Sequence, residues 1–347
     1  MNELFFWPFV SGALLSTLGC IWVIKNGQRW KIVDDPRTHR HPKVVHERAV
    51  PRGGGIPIFL ALMSVFLFWG FEWKSIGIVL GGGLLMMVGY LDDRFEERLS
   101  PYLRLVLNGV AALLAVGAGV GIFYITNPLG GVINLSWPLS ILFSLVWLVL
   151  MQNIIGWSSG VDGQMPGFVV IAALTMAAIG IKFGEDSSQV PLLILSGVTA
   201  GAYLGFLPWN WYPQKIMPGY GGKSLAGYLL GVMAIMASGK VGAMVIVLGI
   251  PIIDALIVVV KRISEGRSPV WGGFEHLHHL LLKRGWGKRR IAVFYWGASA
   301  ILAIAALQLN STQKWFTMAI ITGVAGGGIL WLHYFSIFLK QRDRDSG

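Results

Sequence analysis

Long apolar stretches with almost no charged residues recur along the whole chain, separated by short polar segments. Each stretch is close to the ~20 residues that a helix needs to cross the hydrocarbon core of a bilayer. Such stretches lie near 5–24, 54–72, 75–91, 104–125, 138–156, 167–183, 190–208, 224–239, 241–261, 291–309 and 316–339. The pattern predicts an all-α fold, a polytopic membrane helix bundle of about 10–11 transmembrane helices, with residues 1–347 forming a single integral membrane domain.

The composition also indicates a lipid environment. Of the 347 residues, 54% are hydrophobic and 13% are charged, whereas soluble domains carry about 25% charged residues. The first apolar stretch precedes a basic segment and lacks a small-residue cleavage site, so it is expected to be a retained helix rather than a signal peptide. The single cysteine, Cys20, lies within it and excludes a disulfide framework.

The lysines and arginines predict the orientation of the bundle. All 28 fall in alternate connecting segments or in the C-terminal tail, except Lys74, Lys182, Lys240 and Lys314. Because basic loops stay on the cytoplasmic side, the N-terminus is expected outside and the C-terminus inside. The basic residues are spread over separate loops without an aromatic platform, so no nucleic-acid partner is expected.

Reactive side chains collect on the predicted cytoplasmic side, in loops 25–53, 92–103, 157–166, 209–223 and 262–290. These loops hold His39, His41, His46, Asp92, Asp93, Asp162, Asn210, His276, His278 and His279, whereas the outer loops hold almost none. A transporter would more often place its ionisable groups near the bilayer midplane. The asymmetry favours an enzyme whose site lies at one membrane interface.

Adjacent carboxylates follow the third apolar stretch. Asp92 and Asp93 suit Mg²⁺, which takes one or two carboxylates together with substrate phosphates, or a base beside a metal ligand. A solvated helix end is the alternative reading. Asp162 lies between glycines, and a glycine-rich turn at 219–222 leads into a helix, where backbone N–H groups can bind a phosphate. Simple loop geometry also explains such turns.

Three histidines occur within four residues of a strongly basic loop. His276 and His279 are one helical turn apart and, with His278, could bind phosphate or transfer protons near neutral pH. A zinc site has no support from cysteines or a second histidine pair. Asp254 lies within an apolar stretch, where a carboxylate is costly unless it faces the bundle interior. A structural and a functional role for Asp254 remain open.

Taken in order, these segments resemble the polyprenyl-phosphate N-acetylhexosamine-1-phosphate transferase family (glycosyltransferase family 4). The matching segments are VDDPRTHRHPKVVHERAVPRGGGI (33–56), GYLDDRFEERLSPYLRL (89–105), the loop 153–163, GFLPWNWYP (205–213), and IPIIDALIVVVKRISEGRSP (250–269) followed by HLHH (276–279). The PRGGG form and HLHH, in place of HHHFE, are more similar to the GlcNAc-1-phosphate branch than to the phospho-MurNAc-pentapeptide branch.

The resemblance implies transfer of a sugar 1-phosphate from a UDP-N-acetylhexosamine to a polyprenyl (undecaprenyl) phosphate, which starts a cell-envelope glycan such as O-antigen. It implies Mg²⁺, or Mn²⁺, held by Asp92, Asp93 and Asp162, with Asp92 or Asp93 as base or as organiser of the lipid phosphate. Nucleotide or sugar binding is implied for Asn153, Asn210 and Asp162. Phosphate binding is implied for His276, His278, His279, Arg52 and Arg267. A homodimer is possible.

The sequence departs from the family pattern at several positions. Tyr220 stands where a metal-binding Asp is usual, and Gly156, Ser159 and Gly273 replace polar or acidic residues, while Lys223 appears beside the glycine turn. A phenol cannot supply a carboxylate charge near neutral pH. One reading is a working transferase, either with relocated metal ligands or with Lys223 doing part of the cation's task. The alternatives are a catalytically degenerate homologue that acts as a lipid-phosphate-binding or scaffold membrane protein, and an unrelated transporter.

Overall fold

The computed structural model describes residues 2–35, 49–95, 99–127, 131–182, 189–237, 241–271 and 273–345. This part of the chain forms helices joined by short connections, with two small β-hairpins. The predicted inner-loop residues His39, His41 and His46 lie outside the described residues. The all-α class is confirmed.

Helices make up most of the described chain, and each strand is only two or three residues long. The helices are α1 (Asn2–Asn26), α2 (Gly55–Met63), α3 (Val65–Phe68), α4 (Trp73–Phe95), α5 (Pro101–Gly117), α6 (Trp137–Trp157), α7 (Gln164–Lys182), α8 (Val190–Asn210), α9 (Gly219–Met236), α10 (Val241–Val247), α11 (Gly249–Ser264), α12 (Leu277–Lys283), α13 (Lys288–Gln308) and α14 (Ser311–Asp345). The strands are β1 (Val33–Asp34), β2 (Val50–Pro51), β3 (Tyr124–Thr126) and β4 (Val132–Asn134).

Helix length and composition identify the membrane spans. Within the described residues, seven helices are long and apolar enough to cross a membrane, namely α1, α4, α6, α7, α8, α13 and α14. α10 and α11 reach the same criterion together, although the chain bends by 84° between them. The other predicted spans are helical too, as α2 with α3, α5 and α9. A polytopic helix bundle is therefore confirmed, with seven or eight spans by this criterion where the sequence predicted about 10–11.

Two predicted spans have different ends from those expected. The stretch 54–72 is interrupted at Ser64, whose hydroxyl donates to the Ala61 backbone oxygen at the junction of α2 and α3. The stretch 104–125 leaves the helix after Gly117 and turns at Gly119, whose φ is +91°. A left-handed residue cannot continue an α-helix. The rest of this stretch enters the hairpin β3–β4 instead.

The central helices pack through small residues. Gly197, Gly201 and Gly205 lie four residues apart on α8, and a Cβ at each would overlap a backbone oxygen of α1. In a membrane, where lipid is as apolar as a leucine side chain, such close backbone contact supplies the packing energy between helices. About four-fifths of the α7 and α8 spans is buried inside the bundle, 78% in each, against 11% of the α14 span. α7 and α8 therefore form the centre, and α14 lies at the periphery.

We expect Gly201→Ala to lower the free energy of unfolding by about 1–3 kcal/mol, because its Cβ overlaps backbone rather than a flexible side chain. The measurement is thermal unfolding of the purified protein in detergent. Gly109→Ala in α5 is the matched control, since no atom lies within 4 Å of its Cβ. Equal melting temperatures for the two variants would contradict this account of the α1–α8 contact.

A short hairpin brings two distant polar residues together. β1 pairs antiparallel with β2, with Val33 opposite Pro51 and Asp34 opposite Val50. Arg52, which follows β2, donates to Asp34 Oδ2 at 2.6 Å. Strands of two residues are too short to show the alternating pattern that identifies a strand, so the sequence did not predict this hairpin. It matters because both residues border the candidate site.

Candidate active site

A cavity of about 410 Å³ lies where the predicted inner loops meet. Of the eleven predicted site residues, nine line it: Arg52, Asp92, Asp93, Asp162, Asn210, Lys223, His276, His278 and His279. They come from the segment after β2, the end of α4, the α6–α7 loop, the end of α8, the start of α9, and the start of α12 with the residue before it. Folding therefore gathers segments that are up to about 230 residues apart in the sequence.

The other two predicted site residues are outside the cavity lining. Asn153 lies on α6 and donates its amide to the Val149 backbone oxygen of the same helix at 2.7 Å. Arg267 is exposed and pairs with Glu275 at 2.6 Å. Glu275 also pairs with Arg262 at 2.9 Å. Arg267 thus belongs to a surface cluster that lines a separate cleft.

The end of α4 is in contact with the start of α9. Asp93 is buried, and the backbone N–H of Tyr220 donates to its Oδ1 at 3.3 Å. Gly219, with φ +59°, leaves no space for a Cβ beside Asp93 Oδ2. Arg52 and Lys223 are close enough for their charges to act on the Asp93 carboxylate. The glycine turn is therefore needed to bring the α9 backbone against this carboxylate.

Tyr220 occupies the position where a carboxylate was expected. Its hydroxyl donates to Asn108 Oδ1 at 2.9 Å, and the Arg104 guanidinium lies 5.3 Å from its ring centroid. Arg104 also donates to Asp92 Oδ2 at 3.1 Å. The aromatic face and the carboxylate together hold the guanidinium at the cavity wall. The sequence did not predict a role for Arg104, although it lies in the first turn of α5, 12 residues after Asp92.

The loop between α6 and α7 is fixed by two polar residues. Asp162 accepts from the Gln214 backbone N–H at 3.3 Å and from Lys288 Nζ at 3.4 Å. Asn210 accepts from the Gly163 N–H at 3.0 Å and donates to Gln214 Oε1 and to the Ile216 oxygen, both at 2.9 Å. Because its amide is already bonded on both sides, Asn210 holds two cavity loops together. Lys288 was missed because it lies in a basic run with no distinguishing motif.

The segment from His276 to His279, called the histidine segment below, forms another wall of the cavity. His276 precedes α12. Its ring stacks on Trp157 and on His278, with ring centroids 6.2 Å and 5.8 Å apart. His278 is buried, and a Cβ at Gly160 would overlap its Nε2. The absence of a side chain at Gly160 is what lets the α6–α7 loop approach the imidazole. His279 contacts the His278 ring at 4.1 Å.

Burial decides the charge state of two of these histidines. It lowers the pKa of His278 well below its usual value, with smaller contributions from the charges of His279, His276 and Lys223. Burial, together with the charges of His276 and Lys283, lowers the pKa of His279 to about 4. Near neutral pH both rings are therefore neutral. Each neutral ring can donate a hydrogen bond to a phosphate oxygen or accept one from a phosphate hydroxyl, but it carries no positive charge to offset the phosphate charge.

The lowered pKa of His279 predicts acid sensitivity. Between about pH 6.5 and pH 4 the unfolded chain binds a proton at this residue that the folded protein does not bind, so stability falls as pH falls through that window. Because the ring is partly exposed, the slope stays below about 1.4 kcal/mol per pH unit. We expect His279→Gln to flatten the decline in melting temperature from pH 7 to pH 5. Above pH 7 the melting temperatures of the two proteins should change in parallel with pH. Parallel curves below pH 6 as well would contradict the lowered pKa of His279.

The cavity combines carboxylates with cationic side chains. Arg52, Arg104, Lys223 and Lys288 all line it, and three of them contact a lining carboxylate. Within the described part of the chain, no group of three histidine, cysteine or acidic side chains is close enough to share a metal ion. The predicted metal ligands Asp92, Asp93 and Asp162 line one cavity but do not form such a group. This arrangement suits a ligand that brings phosphate oxygens of its own.

Comparison with known proteins identifies the family. The model of the glycosyl transferase family 4 matches residues 75–238. The decaprenyl-phosphate N-acetylglucosaminephosphotransferase of Mycolicibacterium smegmatis is 29% identical over 91% of this chain and 85% of its own length. The protein of the same name from Mycobacterium tuberculosis is 31% identical, over 76% of this chain and 72% of its own length.

A second type of relative is less similar. The phospho-N-acetylmuramoyl-pentapeptide-transferase of Moorella thermoacetica is 27% identical over 80% of this chain and 87% of its own length. The order of these identities agrees with the branch that the HLHH and PRGGG segments predicted. This multi-pass membrane enzyme belongs to glycosyl transferase family 4, and it is more similar to the N-acetylglucosamine-phosphate transferases than to the pentapeptide transferase.

Proposed function

We propose that this enzyme transfers an N-acetylhexosamine 1-phosphate from a UDP-N-acetylhexosamine to a polyprenyl phosphate, releasing UMP and starting a cell-envelope glycan. The observation that carries the proposal is the single cavity in which an aspartate pair, four cationic side chains and the histidine segment meet. The names of the relatives, which act on decaprenyl phosphate, support the lipid acceptor. The site is proposed to face the cytoplasm, where nucleotide sugars would reach it.

The cationic residues of the cavity can offset the repulsion between the two phosphate-bearing substrates of this reaction. Two phosphate-bearing substrates must approach each other, and their repulsion grows as the new bond forms. Arg52 and Lys223 act beside Asp93, and Arg104 acts beside Asp92. Cations held in position before the substrates arrive lower the barrier without reorganisation. We assign the lipid phosphate to this α4–α9 side, because the end of α4 and the start of α9 line the cavity and the two helices pack against each other.

The nucleotide sugar is assigned to the wall around Asp162. Lys288 contacts this carboxylate and its ammonium lies 5.1 Å from the ring centroid of Tyr212, so a cation and an aromatic face lie together. The Lys288 ammonium lines the cavity and can meet a phosphate there, whereas Tyr212 lies outside the cavity lining. Asn210 shapes this wall through its bonds to Gly163 and Gln214. The uridine or sugar contact predicted for Asn153 stays a prediction.

Mg²⁺ or Mn²⁺ fits the site only in part. The adjacent carboxylates of Asp92 and Asp93 are the ligand type that Mg²⁺ prefers, and Mg²⁺ is commonly held by one or two carboxylates together with substrate phosphates. A bound ion would offset phosphate charge. Since the described residues offer no third histidine, cysteine or acidic side chain beside them, we expect Mg²⁺ to raise the melting temperature only when the UDP-sugar is also present. An equal rise with Mg²⁺ alone would show a complete protein site.

The orientation and assembly are also proposals. An outside N-terminus and an inside C-terminus place the cavity-lining loops in the cytoplasm, by the distribution of basic residues. We further propose that the membrane is the inner (cell) membrane. A homodimer stays a prediction. Cysteine labelling from either side of the membrane would test the topology, with Ser268→Cys expected to react only from the cytoplasm once Cys20 is replaced by serine.

The function is tested by product formation in detergent. The purified protein is given undecaprenyl phosphate, Mg²⁺ and a panel of UDP-N-acetylhexosamines, and both UMP and the lipid product are measured. Appearance of both with at least one donor supports the proposal. If neither forms while UMP or the lipid still raises the melting temperature, the catalytically degenerate homologue is the better description. If no substrate binds, the assignment of the cavity is wrong.

A further inference from the structure

The buried carboxylate of Asp254, which has no proposed contact with substrate, contacts the histidine segment. Asp254 lies on α11, is 0% exposed, and follows the bend that separates α10 from α11. Its Oδ1 accepts the Leu277 backbone N–H at 2.7 Å, and its Oδ2 lies 2.9 Å from Nδ1 of His276. A carboxylate inside a membrane helix is costly unless it is fully bonded. Both oxygens are bonded here, and both contacts fix the start of α12.

The contact determines which nitrogen of His276 is available. An ionised carboxylate accepts hydrogen bonds but cannot donate them, so Nδ1 carries the hydrogen and Nε2 carries the lone pair. Stacking on Trp157 fixes the plane of the ring. His276 is 4% exposed and lines the cavity. A fixed imidazole with a defined tautomer at a cavity wall is suited to accept a proton.

The neighbouring histidines lack this support. His278 Nδ1 has no hydrogen-bond partner within the described residues, and the burial of His278 and His279 disfavours their charged forms. A carboxylate on Nδ1 instead stabilises the positive charge that forms when Nε2 takes up a proton. Of the three rings, His276 alone has such a partner among the described contacts. Among the described contacts, the His276 ring meets Asp254 and His278, and its charge interacts with that of His279.

We propose that Asp254 is a positioning residue that makes His276 the proton acceptor of the transfer reaction. The proposal rests on the proposed function. Nε2 takes the proton of a monoprotonated lipid phosphate as that oxygen bonds to the β-phosphorus of the UDP-sugar. The bond from the β-phosphorus to the bridging oxygen breaks, and its electron pair leaves with UMP. The imidazolium then returns the proton to UMP or to water.

Asp254→Asn separates positioning from folding. Asparagine keeps an acceptor for the Leu277 N–H through Oδ1, but its amide donates to His276 Nδ1 and moves the ring hydrogen to Nε2. We expect wild-type melting temperature, unchanged UMP affinity and a kcat about 10²-fold lower. Asp254→Ala, which loses both contacts, is expected to be less stable as well. His276→Gln should match the kcat loss of Asp254→Asn.

Non-additivity tests the coupling directly. If Asp254 acts through His276, the double variant Asp254→Asn with His276→Gln loses no more kcat than either single variant. Losses that multiply, or an Asp254→Asn variant with wild-type kcat, would overturn the proposal. The tautomer is read independently of turnover by ¹⁵N NMR of histidine-labelled protein, with the His276 signals assigned by their absence in His276→Gln. Wild type should show the hydrogen on Nδ1 and Asp254→Asn should show it on Nε2; the same tautomer in both would refute the inference even if no product forms.

Discussion

Asp93→Asn should lower the rate of product formation by about 10²-fold or more while the protein stays folded. The substitution replaces one carboxylate oxygen by an amide nitrogen, so this position can no longer bind Mg²⁺ as a carboxylate or act electrostatically with Arg52 and Lys223. The Asn Oδ1 can still accept the Tyr220 N–H, which preserves the contact between α4 and α9. Rates are compared at saturating lipid and donor, together with melting temperatures.

The control for this prediction is Glu72→Gln, just before the opposite end of α4. Glu72 accepts from Trp69 Nε1 at 2.9 Å and lies away from the cavity lining. Its loss of charge should leave the rate within a factor of about two, because its distance to the reacting phosphates exceeds a Debye length. An Asp93→Asn variant that keeps more than half of the wild-type rate would show that the carboxylate is dispensable for transfer.

Much of the bundle could be predicted because a bilayer imposes a simple pattern. Any stretch of about 20 apolar residues must hydrogen-bond its own backbone, so the helices follow from hydrophobicity alone. The exceptions have local causes. The interruption at Ser64 and the bend between α10 and α11 occur inside continuous apolar sequence, where hydrophobicity carries no signal. The hairpin β1–β2 depends on backbone pairing between segments sixteen residues apart.

The composition of the site could be predicted, but the pairing of its charges could not. Loops on one side of a membrane must meet near the same surface, which is why the Asp pair, Asp162 and the histidine segment share one cavity. Which cation meets which carboxylate depends on helix rotation. The pairs of Arg104 with Asp92 and of Lys288 with Asp162 are therefore visible only in the folded structure. The role of Asp254, left open by the sequence, is decided by its contact with His276.

The second large effect is expected at Gly219, where backbone conformation and packing restrict the same residue. Its φ of +59° costs an L-residue about 1–2 kcal/mol. A Cβ there would also overlap the Arg52 oxygen and Asp93 Oδ2, and such overpacking costs about 1–3 kcal/mol. Gly219→Ala should therefore lower the free energy of unfolding by about 2–5 kcal/mol.

Activity should fall further than stability alone explains, because the added methyl group displaces the Asp93 carboxylate from the Tyr220 N–H. The matched control is Gly117→Ala at the end of α5, where no atom lies within 4 Å of the new Cβ and alanine favours the helix. Rates are measured at a temperature where both variants remain folded, so that loss of folded protein does not contribute. If Gly219→Ala and Gly117→Ala then transfer sugar phosphate at the same rate, the α9 turn does not position Asp93, and the lipid phosphate must be sought on another wall of the cavity.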